Sequence, residues 1–151
     1  MSEKIAQLTE WIRFLPMFIG VLVEGKDIKT PVKLSMSEER TLIFLFHEPD
    51  RSMTEYSRRL GITKGSFTTV VDRLCNRGYV YRDRMASDRR RQTIKLTPGG
   101  DEIARVIDQG YKDLISRKLA LLDEEDIPEL EQALKTIYQA TMKLKDKKCK
   151  C

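Results

Sequence analysis

The sequence predicts a mainly α chain carrying one small β-hairpin, arranged as a winged helix-turn-helix with a helical dimerisation lobe. Three observations predict it. Residues 54–97 read as a short helix, a glycine turn, a second helix with a polar outer face, and two strands around Asp88-Arg89-Arg90-Arg91. Charge is concentrated in the same stretch: from Arg51 to Thr97 there are twelve Lys/Arg against four Asp/Glu, whereas the remainder is mildly acidic in a chain of net charge +5. Long helical patterns flank it on both sides, the last with a heptad-like apolar seam. The expected divisions are 1–34 (N-terminal helix of the dimerisation lobe), 35–97 (winged helix-turn-helix) and 98–151 (C-terminal helices of the dimerisation lobe).

In chain order, residues 5–24 have a helical pattern that is apolar nearly all round from Trp11 onward, so this helix must be covered on most sides. Residues 25–34 form a polar connector. Ser37 is read as the N-cap of the next helix, with Glu38 and Glu39 at its positive end. Leu42, Leu45 and Phe46 face inward there, and the helix stops before Pro49. Ser52-Met53-Thr54-Glu55 has capping-box spacing and opens a third helix that ends near Gly61. Thr63 caps a fourth, with Phe67, Val70, Val71 and Leu74 on one face, and Gly78 closes it.

Residues 79–84 and 92–96 are the two strands. Thr97-Pro98 restarts a helix, with proline at the first position where its missing N–H is not needed; it runs to about Leu122. Asp123 then caps a last helix to about Lys145, along which Ile127, Leu130, Leu134, Ile137, Thr141 and Leu144 step 3-4-3-4-3. Two such helices cannot bury their apolar surface on a small winged domain alone, so self-association is expected.

Bulk properties narrow the class. A chain of 151 residues can bury a real core. Three cysteines, an odd number, argue against a secreted disulfide framework, and Cys149 and Cys151 stand too close for an easy mutual bridge. The longest apolar run, Phe14 to Val23, is broken by Pro16 and Gly20 and is roughly half of what spans a bilayer. No signal-peptide pattern surrounds it. A cytoplasmic protein with no membrane partner is expected.

The fourth helix carries the sharpest chemistry. With Phe67, Val71 and Leu74 inward, a helical step places Gly65, Thr69 and Asn76 opposite, flanked by Ser66, Thr68 and Arg73. Short hydroxyls let the backbone approach a major groove, and Arg73 can reach a phosphate or a guanine edge. Lys64, Gly65, Ser66, Thr68, Thr69 and Arg73 are the expected DNA contacts of this helix. Asp72 also projects outward and is expected to pair with a neighbouring arginine. In the wing, Arg84, Arg89, Arg90 and Arg91 suit a minor groove with its focused negative potential. Asp88 is expected to fix the turn and aim one arginine. The plainer readings are a solvated polar helix face and a charged hairpin tip.

Thr54-Glu55-Tyr56-Ser57-Arg58-Arg59-Leu60-Gly61-Ile62-Thr63-Lys64-Gly65-Ser66 resembles the helix-turn-helix of MarR-type regulators. So does Val70-Val71-Asp72-Arg73-Leu74, followed by Arg77-Gly78-Tyr79-Val80. The stretch from Asp88 through Thr97-Pro98-Gly99-Gly100 is similar to that family's wing and its exit into the dimerisation helix. The resemblance implies a homodimeric DNA-binding transcription regulator, usually a repressor, on a palindromic operator that sets two recognition helices about one helical turn apart. It also implies small phenolic or aromatic-acid effectors, bound between the dimer lobe and the DNA-binding lobe.

For such an effector, Trp11, Arg13, Phe14, Met17 and Phe18, with Phe44 and His47, offer an aromatic slot with one arginine. The preferred alternative is that these side chains are dimer core. His47 is the single histidine, too little for a zinc site, which usually needs three or four ligands together; no metal or other cofactor is expected. Cys75 lies on the flank of the recognition helix without any sign of a reactive thiolate. An enzyme is not expected either, because no nucleophile–base pair, paired-carboxylate cleft or phosphate-cradling loop is legible. The rival reading is a winged-helix protein used for protein contact or for non-specific architectural DNA binding.

Overall fold

A computed structural model describes residues 3–25, 28–84, 86–88 and 90–148, with side chains through residue 144. Among these residues the order is α1 (Glu3–Ile12), α2 (Leu15–Val23), α3 (Met36–His47), α4 (Met53–Leu60), α5 (Lys64–Asn76), β1 (Val80–Arg84), β2 (Gln92–Leu96), α6 (Pro98–Leu119) and α7 (Asp126–Lys148). The expected mainly α chain with one small hairpin is what folds.

Four boundaries differ from the sequence reading, each for a local reason. The single helix expected over 5–24 is two helices. Pro16 lacks an N–H and clashes with the carbonyl four residues back, so α1 ends at Ile12, and Pro16 sits in the first turn of α2. The cap of α3 is Ser35, not Ser37. The Ser35 hydroxyl accepts the Glu38 N–H at 3.3 Å, and the Glu38 carboxylate accepts the Ser35 N–H at 2.7 Å, a reciprocal box that Ser37 has no acid in place to make. α6 stops at Leu119, and residues 120–122 tighten into turns. α7 begins at Asp126, because Pro128 must stand in a first turn where no N–H is required. The Asp123 carbonyl instead accepts the Asp126 N–H at 3.0 Å.

The chain divides into two compact units, one formed by residues 26–112 and the other by residues 1–25 with 113–151. The first holds the winged helix-turn-helix. Its core joins Leu42 and Leu45 of α3, Tyr56 and Leu60 of α4, Phe67, Val70, Val71 and Leu74 of α5, Val80 and Ile94 of the hairpin, and Ile103, Ala104 and Ile107 of α6. Phe46, expected inward, is half-buried against this cluster. Between α4 and α5 the chain turns at Gly61, whose φ of +68° lies in the left-handed region. The strands pair antiparallel from Val80 opposite Leu96 to Arg84 opposite Gln92. Thr93 extends this ladder by bridging to Ser52, and its hydroxyl donates to the Arg51 carbonyl at 2.6 Å.

The hairpin is locked to the start of α6. The Thr97 N–H donates to the Tyr79 carbonyl at 3.0 Å, and the Thr97 hydroxyl donates to the Gly78 carbonyl at 2.6 Å. A Cβ on Gly100 would lie 1.8 Å from the Tyr79 oxygen, so only glycine permits this approach.

The second unit buries little of its apolar surface. Leu22 and Leu114 are covered, while Leu8, Trp11, Ile12 and Met17 of its first two helices and Leu121, Leu134, Tyr138 and Leu144 of its C-terminal part are exposed. Taken end to end, Glu3–Val23 is also long and apolar enough to cross a membrane, with mean hydropathy 1.3, a test that the core helix of a soluble protein passes as well.

Candidate nucleic-acid interface

α5 separates its two faces as the helical step requires. Phe67, Val70, Val71 and Leu74 are buried, while Lys64, Gly65, Ser66, Thr68, Thr69, Asp72, Arg73 and Asn76 are exposed. The Thr63 hydroxyl accepts the Ser66 N–H at 3.2 Å and starts the helix. Thr68 and Thr69 donate their hydroxyl protons back to the Lys64 and Gly65 carbonyls, at 2.9 Å and 3.2 Å. What they present outward is therefore an acceptor oxygen and a methyl group. No atom lies within 4 Å of a Cβ built on Gly65. Glycine in a helix costs on the order of 0.5–1 kcal/mol relative to alanine, and nothing within the chain requires it there.

α5 and the wing are joined by charge. The outward Asp72 accepts a bond from Arg82 of β1 at 2.6 Å, which is the neighbouring arginine the sequence called for. Behind α5, Arg73 Nε and Arg77 Nη1 lie 3.6 Å and 3.7 Å from Glu38 Oε1 of α3. Burial pushes the Glu38 pKa up, but the Ser35 hydrogen bonds and then the two arginines outweigh it and hold the carboxyl below the usual glutamate value.

The wing arginines have different fates. The Asp88 carboxylate accepts the Arg90 N–H and its carbonyl the Arg91 N–H, both at 2.9 Å, so Asp88 closes the turn through the backbone. The side chains of Arg90 and Arg84 are exposed and make no ion pair among the described residues. Arg91 is tied inward: it donates to the Ser52 hydroxyl at 2.9 Å and lies 3.2 Å from Glu55, at the start of α4. The Glu55 carboxyl is held low first by the Ser52 hydroxyl and backbone N–H, with Arg91 adding to them. Arg89 lies outside the described residues, as do Cys149 and Cys151. On β1 and β2, Asp83 and Lys95 pair at 2.9 Å, which lowers the Asp83 pKa and raises that of Lys95.

The seven residues considered for an effector fall into both units. In the helical unit, the Trp11 and Phe14 rings stand 5.9 Å apart, Arg13 pairs with Glu10 at 2.8 Å, Met17 is exposed and Phe18 half-buried. In the winged unit, Phe44 packs edge-on to Tyr56 under the Arg59 guanidinium. His47 Nε2 lies 2.7 Å from the Asp108 carboxylate. That carboxyl is held low, first by Lys112, against the effect of burial and with His47 adding to it. Cys75 is a half-buried free thiol packed against the core. Among the described residues no group of three or more His, Cys, Asp or Glu side chains is placed to hold a metal.

Sequence reasoning missed Glu38, Arg77 and Arg82. The Ser35-x-x-Glu38 spacing could have identified the cap. Nothing local announces that the same carboxylate faces Arg73 of α5 and Arg77 at its C-terminal cap, in a helix that starts 26 positions later.

Comparison with known proteins fits this architecture. Residues 34–91 match the MarR family. The chain is 26% identical over 131 residues to the uncharacterized HTH-type transcriptional regulator YfiV of Bacillus subtilis, covering 86% of this chain and 81% of that protein. It is similar in structure to Streptococcus pneumoniae FabT in complex with DNA, with 26% identity, a TM-score of 0.59 and coverage of 94% and 98% of the two chains. A mutant of MarR from E. coli is 25% identical at a TM-score of 0.65, over 82% of this chain and 96% of that one. Its winged core is thus similar to the MarR family, and most of its length to a transcriptional regulator and to structures of that kind.

Proposed function

We propose that the protein is a repressor that acts as a homodimer, binds a palindromic operator through α5 and the wing, and is released by a small aromatic or phenolic effector. The observation that carries the DNA part is the outer face of α5. It offers a glycine the chain does not need, two threonines with methyl groups and acceptor oxygens outward, and Arg73. Methyl groups and acceptors suit thymine methyls and exocyclic amines in a major groove, and an arginine fork suits guanine.

Lys64, Gly65, Ser66, Thr68, Thr69 and Arg73 read the operator in this account, while Arg84, Arg89 and Arg90 hold the backbone or minor groove. Asp88 shapes the turn that presents Arg90. Arg91, tied to the start of α4, steadies the wing against that helix. FabT, solved in complex with DNA, supports the reading.

Dimerisation rests on the helical unit, whose apolar residues lack cover in one chain. Exposed apolar surface of this extent marks an interaction site, and the α7 seam has the spacing of a helix partner's contact. Residues 1–34 and 98–151 supply the dimerisation lobe in this reading. The Trp11–Phe18 stripe serves first as dimer core and second as a wall for the effector. A DNA-binding regulator of this kind works in the cytoplasm.

The test is a salt titration of the wild-type protein on the duplex it enriches from a randomised library, and on random duplex. A specific regulator prefers the enriched duplex by several kcal/mol; an architectural binder shows no preference, and a protein-interaction domain binds neither. Arg90→Ala weakens binding to both duplexes and makes the salt slope shallower. Thr69→Ala or Arg73→Ala loses about 1–3 kcal/mol on the enriched duplex alone; equal losses on both would remove base readout from α5.

A further inference from the structure

The Glu38 side chain is 7% exposed, and a charge so placed persists only with partners on each side. Its Oε2 accepts the Ser35 N–H at 2.7 Å. Its Oε1 lies 3.6 Å from Arg73 Nε and 3.7 Å from Arg77 Nη1. The two arginines differ in their other ties. Arg77 also donates to the Lys33 carbonyl at 2.9 Å and lies over the Tyr79 ring, so it belongs to the scaffold. Arg73 has no second tie among the described residues, and its side chain is 53% exposed. The acid on α5 itself, Asp72, is engaged by Arg82 and is not the group that holds Arg73.

The approach is at Nε, and among the described residues no hydrogen bond takes either terminal nitrogen of Arg73. Those two form the fork that meets guanine O6 and N7, or two phosphate oxygens, in one plane. A free arginine must give up rotamer freedom to present that fork; one already held along its stem gives up less.

We propose that Glu38 is a positioning residue for DNA recognition, which fixes the direction in which α5 presents the Arg73 fork. This rests on the reading that α5 enters the major groove. Glu38 reaches no DNA itself. It acts from α3, through Arg73, and its burial keeps its negative charge away from phosphate. The same carboxylate also caps α3, so the placement of α3 and the aim of the reading arginine are set by one side chain.

Glu38→Gln separates the two roles, since the amide oxygen still accepts the Ser35 N–H while the charge facing Arg73 is gone. Wild type, Glu38→Gln, Arg73→Ala and the double variant are titrated on the wild-type-enriched duplex and on random duplex. Glu38→Gln loses about tenfold of the preference for the enriched duplex, with affinity for random duplex unchanged or raised. In the Arg73→Ala background the same change costs no further preference. An unchanged preference in Glu38→Gln, whatever its thermal stability, or losses that simply add in the double variant, overturns the proposal. Should Glu38→Gln not fold, Glu38→Asp replaces it with the same expected outcomes, its carboxylate drawn back from Arg73 by one methylene. Wild-type protein that enriches no duplex sinks the regulator reading itself; enrichment without a Glu38 effect sinks only the positioning role.

Discussion

The winged unit and the helical unit treat their apolar residues in opposite ways. In the first, Phe67 is 1% exposed and belongs to one continuous core drawn from four helices and the hairpin. In the second, Trp11 is 71% exposed and the α7 seam lies open. Both units carry amphipathic helices, α5 in one and α7 in the other, so amphipathicity alone does not make the difference. It lies in what each unit has available to pack against. The winged unit contains both sides of its core; the helical unit contains one side of an interface, and a second copy supplies the other in our account.

Deleting a large apolar side chain from each unit should give the largest difference between them. Phe67→Ala should cost about 3–5 kcal/mol in urea unfolding, whereas Trp11→Ala should change single-chain stability by roughly 0.5 kcal/mol or less and act on association instead. Equal losses would end the distinction. A charge in the α7 seam comes next: Leu134→Lys should convert dimers to monomers in sedimentation while leaving the far-ultraviolet dichroism intact, and truncation after Leu122, which removes α7 and its helical signal, should also give monomers. Gly100→Ala tests the tightest contact of the winged unit, and should cost about 1–3 kcal/mol or more as the Tyr79 carbonyl is displaced.

The smallest effects concern the caps. Ser52→Ala should cost about 1 kcal/mol. Glu38 and Glu55 have folded pKa values below the ordinary 4.5, so the unfolded chain binds protons more readily. Their contribution is complete above the unfolded value and fades as acid takes the pH down through the folded ones. Stability of the winged unit should therefore fall below about pH 4.5, and Glu55→Gln should flatten that fall. A stability that rises on acidification there would contradict the assignment of both boxes.

The contrast also explains what the sequence made legible. α4, α5 and the hairpin were readable because their signals are local: Ser52 with Glu55, Thr63, Gly61 and Gly78 act within one turn of where they stand. Asp72 needing an arginine was readable too, from charge alone. The helix ends at Ile12 and Asp126 are not legible from apolar periodicity, which runs on through Pro16 and Pro128 where proline's steric reach sets the helix start. The Ser35 box was hidden by a second serine at position 37. Glu38 with Arg73, and Arg91 with Ser52 and Glu55, were beyond local reading, because each pair joins elements that only the folded core brings together. In the helical unit the periodicity of α7 was plain, but periodicity states that a partner is needed without naming it.

Whether two copies jointly present residues 63–77 to duplex DNA is decided by a hydroxyl-radical footprint combined with a mass measurement of the complex. On the wild-type-enriched duplex the account predicts two protected half-sites about one helical turn apart, held by two chains. A single protected half-site held by one chain, or protection spread evenly over any duplex, would contradict it.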